Sequence, residues 1–234
     1  SHAARHRHPG VNMCGRFAFY SPSEAATALF GVSATTEVQP RYNFAPTQVI
    51  ASIRNSEDDG RALVMLRWGL VPFWAKDPAL GTRRITARAE TVAEKPAYRA
   101  AYRHRRCIVL ADGFYEWAKA GDVKTPYFIS LASGSPFALA GLWESWQDKD
   151  SGESLQTATL LTTSANDFMA PLHHRMPVIL EADTAGQWLA GANDLLDDVA
   201  AITPPLQAWP VDRRVNNARN EGADLIDAAG EVLR

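Results

Sequence analysis

Cys14 stands between Met13 and Gly15. If translation starts at Met13 and the initiator is removed, Cys14 carries a free α-amine beside its thiol. An α-amine has a pKa of about 8, against about 10.4 for a lysine, so a useful fraction is neutral and nucleophilic at neutral pH. Such an amine attacks an aldehyde to give an imine, and the neighbouring thiol closes on that imine to form a five-membered thiazolidine. A serine or an internal cysteine cannot make this product. The competing reading of Cys14 is a buried, inert small hydrophobe, the usual fate of a free cysteine. Cys107, which precedes the apolar run Ile108-Val109-Leu110, fits that second reading better.

A second candidate is Glu116, a carboxylate between aromatic residues in Ala111-Asp112-Gly113-Phe114-Tyr115-Glu116-Trp117. Desolvation by such neighbours raises a carboxyl pKa toward neutrality, which suits proton transfer; a surface glutamate in a turn is the alternative. Leu172-His173-His174-Arg175-Met176-Pro177 offers an imidazole that could shuttle protons or orient a sugar hydroxyl. Between Gly81 and Arg106 stand eight basic residues and two glutamates, a local excess of six charges in a chain whose net charge is −2. That excess could bind phosphates, although half of it is also explained by a solvated helix face. Arg16, Arg41, Arg67 and Arg175 lie beside aromatic or turn residues. Trp68, Phe73 and Trp74 cluster around Gly69 and Pro72, a setting that suggests exposed surfaces for stacking bases.

The elements that must position these groups read as mixed. Ser23 to Phe30 has a helical pattern between Pro22 and Gly31. Val49 to Arg54 and Leu63 to Leu70 read as strands around the polar turn 55–60, and Tyr127 to Leu131, Phe137 to Trp143 and Thr157 to Thr163 continue them. Gly134-Ser135-Pro136 reads as a hairpin connection. Thr91 to Arg106 has helical spacing before the apolar run from Cys107, and Thr184 to Leu189 and Asp194 to Ala200 suggest short acidic helices. Without βαβ alternation, the expected fold is a single α+β domain. Its core is a mainly antiparallel sheet or open β-barrel flanked by short helices.

Composition narrows the classes. With 234 residues, 46% of them hydrophobic and 21% charged, the chain can hold a full core and is neither disordered nor fibrous. No apolar run approaches the roughly 20 residues of a membrane span, so no membrane role is expected. The net charge excludes bulk coating of nucleic acid. Two cysteines form no disulfide framework, and no paired spacing supplies a zinc site, so no metal is expected and a reducing cytoplasm fits. Residues 1–12 lack an apolar segment and read as a leader preceding a domain over residues 13–234.

Taken in order, Met13-Cys14-Gly15-Arg16-Phe17, Arg41-Tyr42-Asn43-Phe44-Ala45-Pro46, Trp68-Gly69-Leu70-Val71-Pro72, Ala87-Arg88-Ala89-Glu90-Thr91, the Asp112 to Trp117 segment and His173-His174-Arg175-Met176-Pro177 resemble the SRAP family. Its members are the SOS response-associated peptidases, understood to protect abasic sites in single-stranded DNA by covalent crosslinking. The resemblance runs to about Ile226. It implies that Cys14 is the crosslinking cysteine, Glu116 the acid/base glutamate and His173 the histidine of the His-x-Arg-Met-Pro motif. It also implies that Arg16 and Arg88 contact the DNA backbone, with Arg41, Trp68, Trp117 and Arg175 as further DNA-binding candidates. No cofactor is required, a monomer is the default, and association with the nucleoid after damage is implied. Thr86 departs from the family's usual Asn in the Asn-Ala-Arg motif, which predicts a slower reaction because the amide's paired donor and acceptor are lost.

Two other classes compete. One is a cysteine-dependent peptidase, acting on a peptide or on its own leader with Cys14 as nucleophile. The other is a non-covalent reader of modified DNA bases. An N-terminal-nucleophile amidotransferase also begins Met-Cys-Gly, but the remaining motifs match SRAP.

Overall fold

The computed structural model describes residues 14–33, 36–58 and 60–234. The expected leader, 1–12, lies outside them. Among the described residues thirteen strands follow in chain order: β1 (Phe17–Phe19), β2 (Arg41–Phe44), β3 (Val49–Asn55), β4 (Arg61–Trp68), β5 (Thr86–Arg88), β6 (Arg106–Ala111), β7 (Gly113–Ala120), β8 (Val123–Leu131), β9 (Phe137–Gln147), β10 (Ser154–Ser164), β11 (Arg175–Pro177), β12 (Ile179–Leu180) and β13 (Leu206–Pro210). The helices are short: α1 (Ser23–Leu29), α2 (Arg99–His104), α3 (Ala182–Leu189) and α4 (Val199–Ile202).

The strands β4-β3-β6-β9-β10 pair in that order, and β10 then pairs with β4, so five strands close on themselves as a barrel. The closing contact is parallel, through Thr157 with Arg67 and Ala158 with Trp68. Farther along β10 the place of β4 is taken by β5, also parallel. A second, antiparallel sheet has the order β13-β8-β7-β1-β2. The fold is thus α+β, as expected, with a barrel and a mainly antiparallel sheet. Its main core lies between the two, joining Phe17, Phe44 and Phe114 of the open sheet to Trp68, Leu110 and Leu160 of the barrel. β6 is buried from Cys107 to Ala111 because α3 covers its outer side, where Trp188 Nε1 donates to the Cys107 carbonyl at 3.0 Å.

Both ends of the open sheet are covered by the C-terminal segment. Beside β13, the Ala208 N–H donates to the Leu233 carbonyl at 3.0 Å, and the Leu233 N–H returns a bond of 2.7 Å. At β2, the carboxylate of Glu221 accepts the N–H groups of Tyr42 and Asn43 at 2.9 and 3.0 Å.

Two local expectations are corrected. Helical structure does not fill 91–106: residues up to Tyr98 form turns, and only Arg99–His104 is helix. Pro96 supplies no N–H and disfavours a helical conformation at Lys95. Gly134-Ser135-Pro136 is no hairpin, since it joins β8 of the open sheet to β9 of the barrel. Gly134, at φ 72°, turns the chain between layers.

Candidate active site

Cys14 and Glu116 meet although 102 positions separate them. Antiparallel pairing of β1 with β7 sets Phe17 opposite Phe114 and Ala18 opposite Gly113. Followed backward through the bond from Tyr115 N–H to the Arg16 carbonyl (3.0 Å), that register brings Gly15 opposite Glu116, and the adjoining Cys14 reaches the Glu116 carboxylate. Gly113 permits the close packing, because a Cβ there would lie 2.1 Å from Cζ of Phe128. Cys14 has φ +50°, in the left-handed region that costs a residue with a side chain energy and is common where function holds the backbone.

The backbone nitrogen and Sγ of Cys14 both donate to Glu116 Oε1, each at 2.9 Å. The two residues are each 3% exposed. Burial raises the Glu116 carboxyl to about 7, against the pull of the two bonds from Cys14. The Cys14 thiol is pushed well above its ordinary value, first by burial and then by the adjacent Glu116 carboxylate, with Arg175 acting in the opposite direction. Cys107 is fully buried and its thiol is pushed up to about 12, also by burial. It belongs to the core, as expected.

His173 and Glu116 line a common cleft of about 580 Å³ together with Trp117, His174, Lys119 and Lys124. Nδ1 of His173 lies 3.1 Å from the Arg175 backbone nitrogen and 3.2 Å from the Arg175 carbonyl oxygen, so the Arg175 backbone can either donate to this nitrogen or accept from it. Burial lowers the His173 pKa and favours the neutral ring.

Arg175 is corrected as a DNA contact. It is 2% exposed, and its guanidinium grips the carboxylate of Glu90 with both terminal nitrogens, at 2.6 and 2.9 Å. It also donates to the carbonyl and hydroxyl oxygens of Thr162, at 2.9 and 3.1 Å. A buried guanidinium with that many partners is a tie within the fold. Glu90, which the sequence reading quoted only as part of a motif, is the residue it missed. The signal was Arg175 itself, an arginine leading into the apolar run Met176 to Leu180 and therefore in need of a buried partner.

Trp68 is also corrected. It is fully buried, and its Nε1 donates to the Ile85 carbonyl at 2.9 Å, so no base can stack on it. The exposed aromatics are its neighbours Phe73 and Trp74, at 57% and 49%. Trp74 lines a second cleft, of about 460 Å³, with Arg84, Thr86, Arg88 and Lys95. Within β5 Ala87 turns inward, while Arg88 is exposed and Thr86 half-buried.

The remaining candidates have internal partners. Arg16 donates to the carbonyls of Val215 (2.6 Å) and Asn216 (2.9 Å) and lies 5.9 Å from the centre of the Trp117 ring. Trp117 Nε1 donates to Asn216 Oδ1 at 2.7 Å. Arg41 pairs with Glu221 at 3.3 Å and covers the Phe44 ring. In the basic run, Arg105 pairs with Glu144 and Arg106 bonds to carbonyls of α3 and the following turn. Arg83, Arg88, Lys95, Arg99 and Arg103 are exposed. Among the described residues, no group of three His, Cys, Asp or Glu side chains could hold a metal. Nor is any helix long and apolar enough to cross a membrane.

Residues 13–218 match the family described as SOS response associated peptidase (SRAP). The chain belongs to the SRAP family. A similar SRAP relative is the abasic site processing protein YoaM of Bacillus subtilis, 42% identical over 94% of this chain and all of that protein. The abasic site processing protein YedK of Escherichia coli is 33% identical over 92% of this chain and 99% of its own length. The fold is likewise shared. A crystal structure of a protein from Bacteroides thetaiotaomicron superposes with a TM-score of 0.80 at 24% identity, over 92% of this chain and all of the other. One from Bordetella bronchiseptica gives 0.73 at 27% identity, over 85% and 100%.

Proposed function

We propose that this SRAP protein captures abasic sites in single-stranded DNA, forming a thiazolidine between Cys14 and the ring-opened deoxyribose aldehyde. The observation that carries the reading is the shared bond: one buried carboxylate oxygen accepts from both nucleophilic atoms of Cys14. The chemistry needs the nitrogen as a primary amine, the form produced when the chain is opened before Cys14. The amine attacks the aldehyde carbon, the carbinolamine loses water, and Sγ adds to the imine carbon while its proton passes to the nitrogen. One water leaves in total, and no oxidant or cofactor takes part. Glu116, with a pKa of about 7, takes the amine proton and returns one to the departing hydroxyl. His173, held neutral by burial in the same cleft as Glu116, assists opening of the sugar ring. Exposed Trp74, beside Arg84, Arg88 and Lys95, offers a base-stacking and phosphate surface suited to a single strand.

The peptidase alternative has less support, because the Cys14 thiol bonds to Glu116 and not to an imidazole, while Nδ1 of His173 faces the Arg175 backbone. A non-covalent reader would leave the Cys14 and Glu116 pairing without a purpose. The decisive experiment mixes protein beginning at Cys14 with single-stranded DNA carrying one abasic site and separates the products on a denaturing gel. A slow band lost in Cys14→Ala is expected; DNA bound before denaturation but wholly released after it overturns the covalent reading.

A further inference from the structure

The turn between β7 and β8 sets Lys119 directly opposite Lys124. Opposed residues on antiparallel strands project from the same face with Cβ atoms about 5 Å apart, and like charges so placed weaken the sheet. Among the described residues neither lysine belongs to an ion pair, and Asp122 in the intervening turn is paired with neither. Both line the cleft that holds Glu116, Trp117 and His173. Among the described residues, β1 accompanies β7 only as far as Tyr115, and beyond it no strand pairs with the edge of β7 that faces away from β8. The lysine pair therefore stands at an open border of the reaction cleft. This cleft shares no lining residue with the one formed by Trp74, Arg84 and Arg88.

We propose that Lys119 and Lys124 form an anion subsite for a backbone phosphate of the DNA strand next to the captured nucleotide. The inference rests on the DNA reading above and names a second point of attachment for the strand. Two ammonium groups facing each other without a counter-charge raise the energy of the free protein. A phosphodiester between them removes that repulsion on binding, so part of the attraction is built into the empty hairpin. An ammonium is a compact point charge that suits a phosphate without demanding a fixed orientation. Trp117 in the same cleft supplies a flat surface for the adjoining sugar or base, which favours a nucleotide chain over a free inorganic anion. Such a contact reads no sequence and fixes the register of the strand relative to Cys14.

The test compares the parent with Lys119→Ala/Lys124→Ala and Lys119→Arg/Lys124→Arg, using an undamaged single-stranded oligonucleotide so that no lesion chemistry is involved. Binding is measured across a range of salt concentrations, and thermal stability is recorded beside it. For the double alanine variant we expect affinity reduced several-fold. The slope of log K against log salt should become shallower by about 1.4, at ~0.7 per lost charge contact on a single strand. Its Tm should equal or exceed that of the parent, because the like-charge opposition is gone. The double arginine variant should keep both affinity and slope. An unchanged slope and affinity in the alanine variant overturns the proposal, as does a parent that binds no DNA. Weakened binding in both variants together with a lowered Tm also overturns it, since the lysines would then serve the hairpin. A second arm measures crosslinking to an abasic oligonucleotide. If the slopes change as expected while no covalent band forms in any of the three proteins, the capture reading fails and the phosphate subsite stands.

Discussion

One oxygen of Glu116 lies 2.9 Å from the backbone nitrogen of Cys14 and 2.9 Å from its sulfur. In the capture proposed above, the carboxylate would thereby hold the two atoms that attack one carbon in succession on the same side of the Cys14 backbone, and stand where both of their protons are released.

Glu116→Gln keeps the shape and loses the base, so crosslinking should slow by about 100- to 1000-fold while DNA affinity changes by less than about twofold. The parent rate should rise as pH passes about 7, where Glu116 ionises, and the variant should lose that step and keep only the rise from deprotonation of the α-amine at about 8; single-turnover gels from pH 5.5 to 8.5 measure both. Stability carries the same signature with a fixed sign. The folded carboxyl holds its proton to about 7 against an ordinary 4.5, so this group's stabilising contribution falls as pH rises through that window. The fall amounts to about 3–4 kcal/mol at most, and urea midpoints of Glu116→Gln should not show it.

Cys14→Ser preserves a donor to Glu116 and the α-amine but lacks the sulfur that closes a stable ring. It should give no band on a denaturing gel unless borohydride is added to reduce the imine. A stable band without reductant would show that ring closure through sulfur is unnecessary.

Glu90→Gln removes the carboxylate that faces the buried Arg175 guanidinium. Because Glu90 is half-exposed, the loss should be about 1–2 kcal/mol of stability, read as a lower Tm or urea midpoint. The salt slope of DNA binding should stay at the parent value, since Arg175 is occupied inside the fold. Reduced DNA affinity at unchanged stability would reassign Arg175 to the DNA surface.

Trp74→Ala and Trp68→Ala should separate surface from core. The first should leave Tm within about 1 °C, because a surface truncation costs little. It should weaken single-strand binding by about 1–3 kcal/mol if a base stacks there. The second should destabilise by about 3–5 kcal/mol, as expected for emptying a buried indole site.

Thr86→Asn installs the amide that the SRAP resemblance leads one to expect at this position, next to Arg88 on the rim of the basic cleft. A crosslinking rate several times that of the parent is expected. An equal or lower rate would mean that the hydroxyl serves this chain as well as the amide would.

Several members of the candidate site were legible in the sequence because the chemistry proposed for it depends on unusual local residues. Cys14 after Met13 and Glu116 between aromatics stand out as separate candidates without knowledge of the fold, but only the β1–β7 pairing shows that they meet. The Trp68 to Trp74 stretch misled for a physical reason. Pro72 and Gly69 signal a turn but do not say which aromatic precedes it inside the barrel, and closure through the parallel β10–β4 contact is a long-range event that leaves no periodic trace. Glu90 was missed for a related reason. It becomes the counter-charge of Arg175 only when β5 and β11 approach β10 from separate parts of the chain. The strand alternation did predict β3, β4 and β8 to β10 well, since those segments satisfy local pattern and pairing together.

The Glu221 carboxylate and the Leu233 backbone do more than close off their own segment. Unsatisfied strand edges are templates on which other chains polymerise, and this sheet ends in one side-chain carboxylate and one short stretch of backbone instead of long terminal strands. Loss of the residues after Asp227, by proteolysis or premature termination, would bare β13 while leaving Cys14 and Glu116 in place. Such a truncated chain should still carry its reactive pair yet be prone to aggregate, so its solubility would fail before its chemistry does.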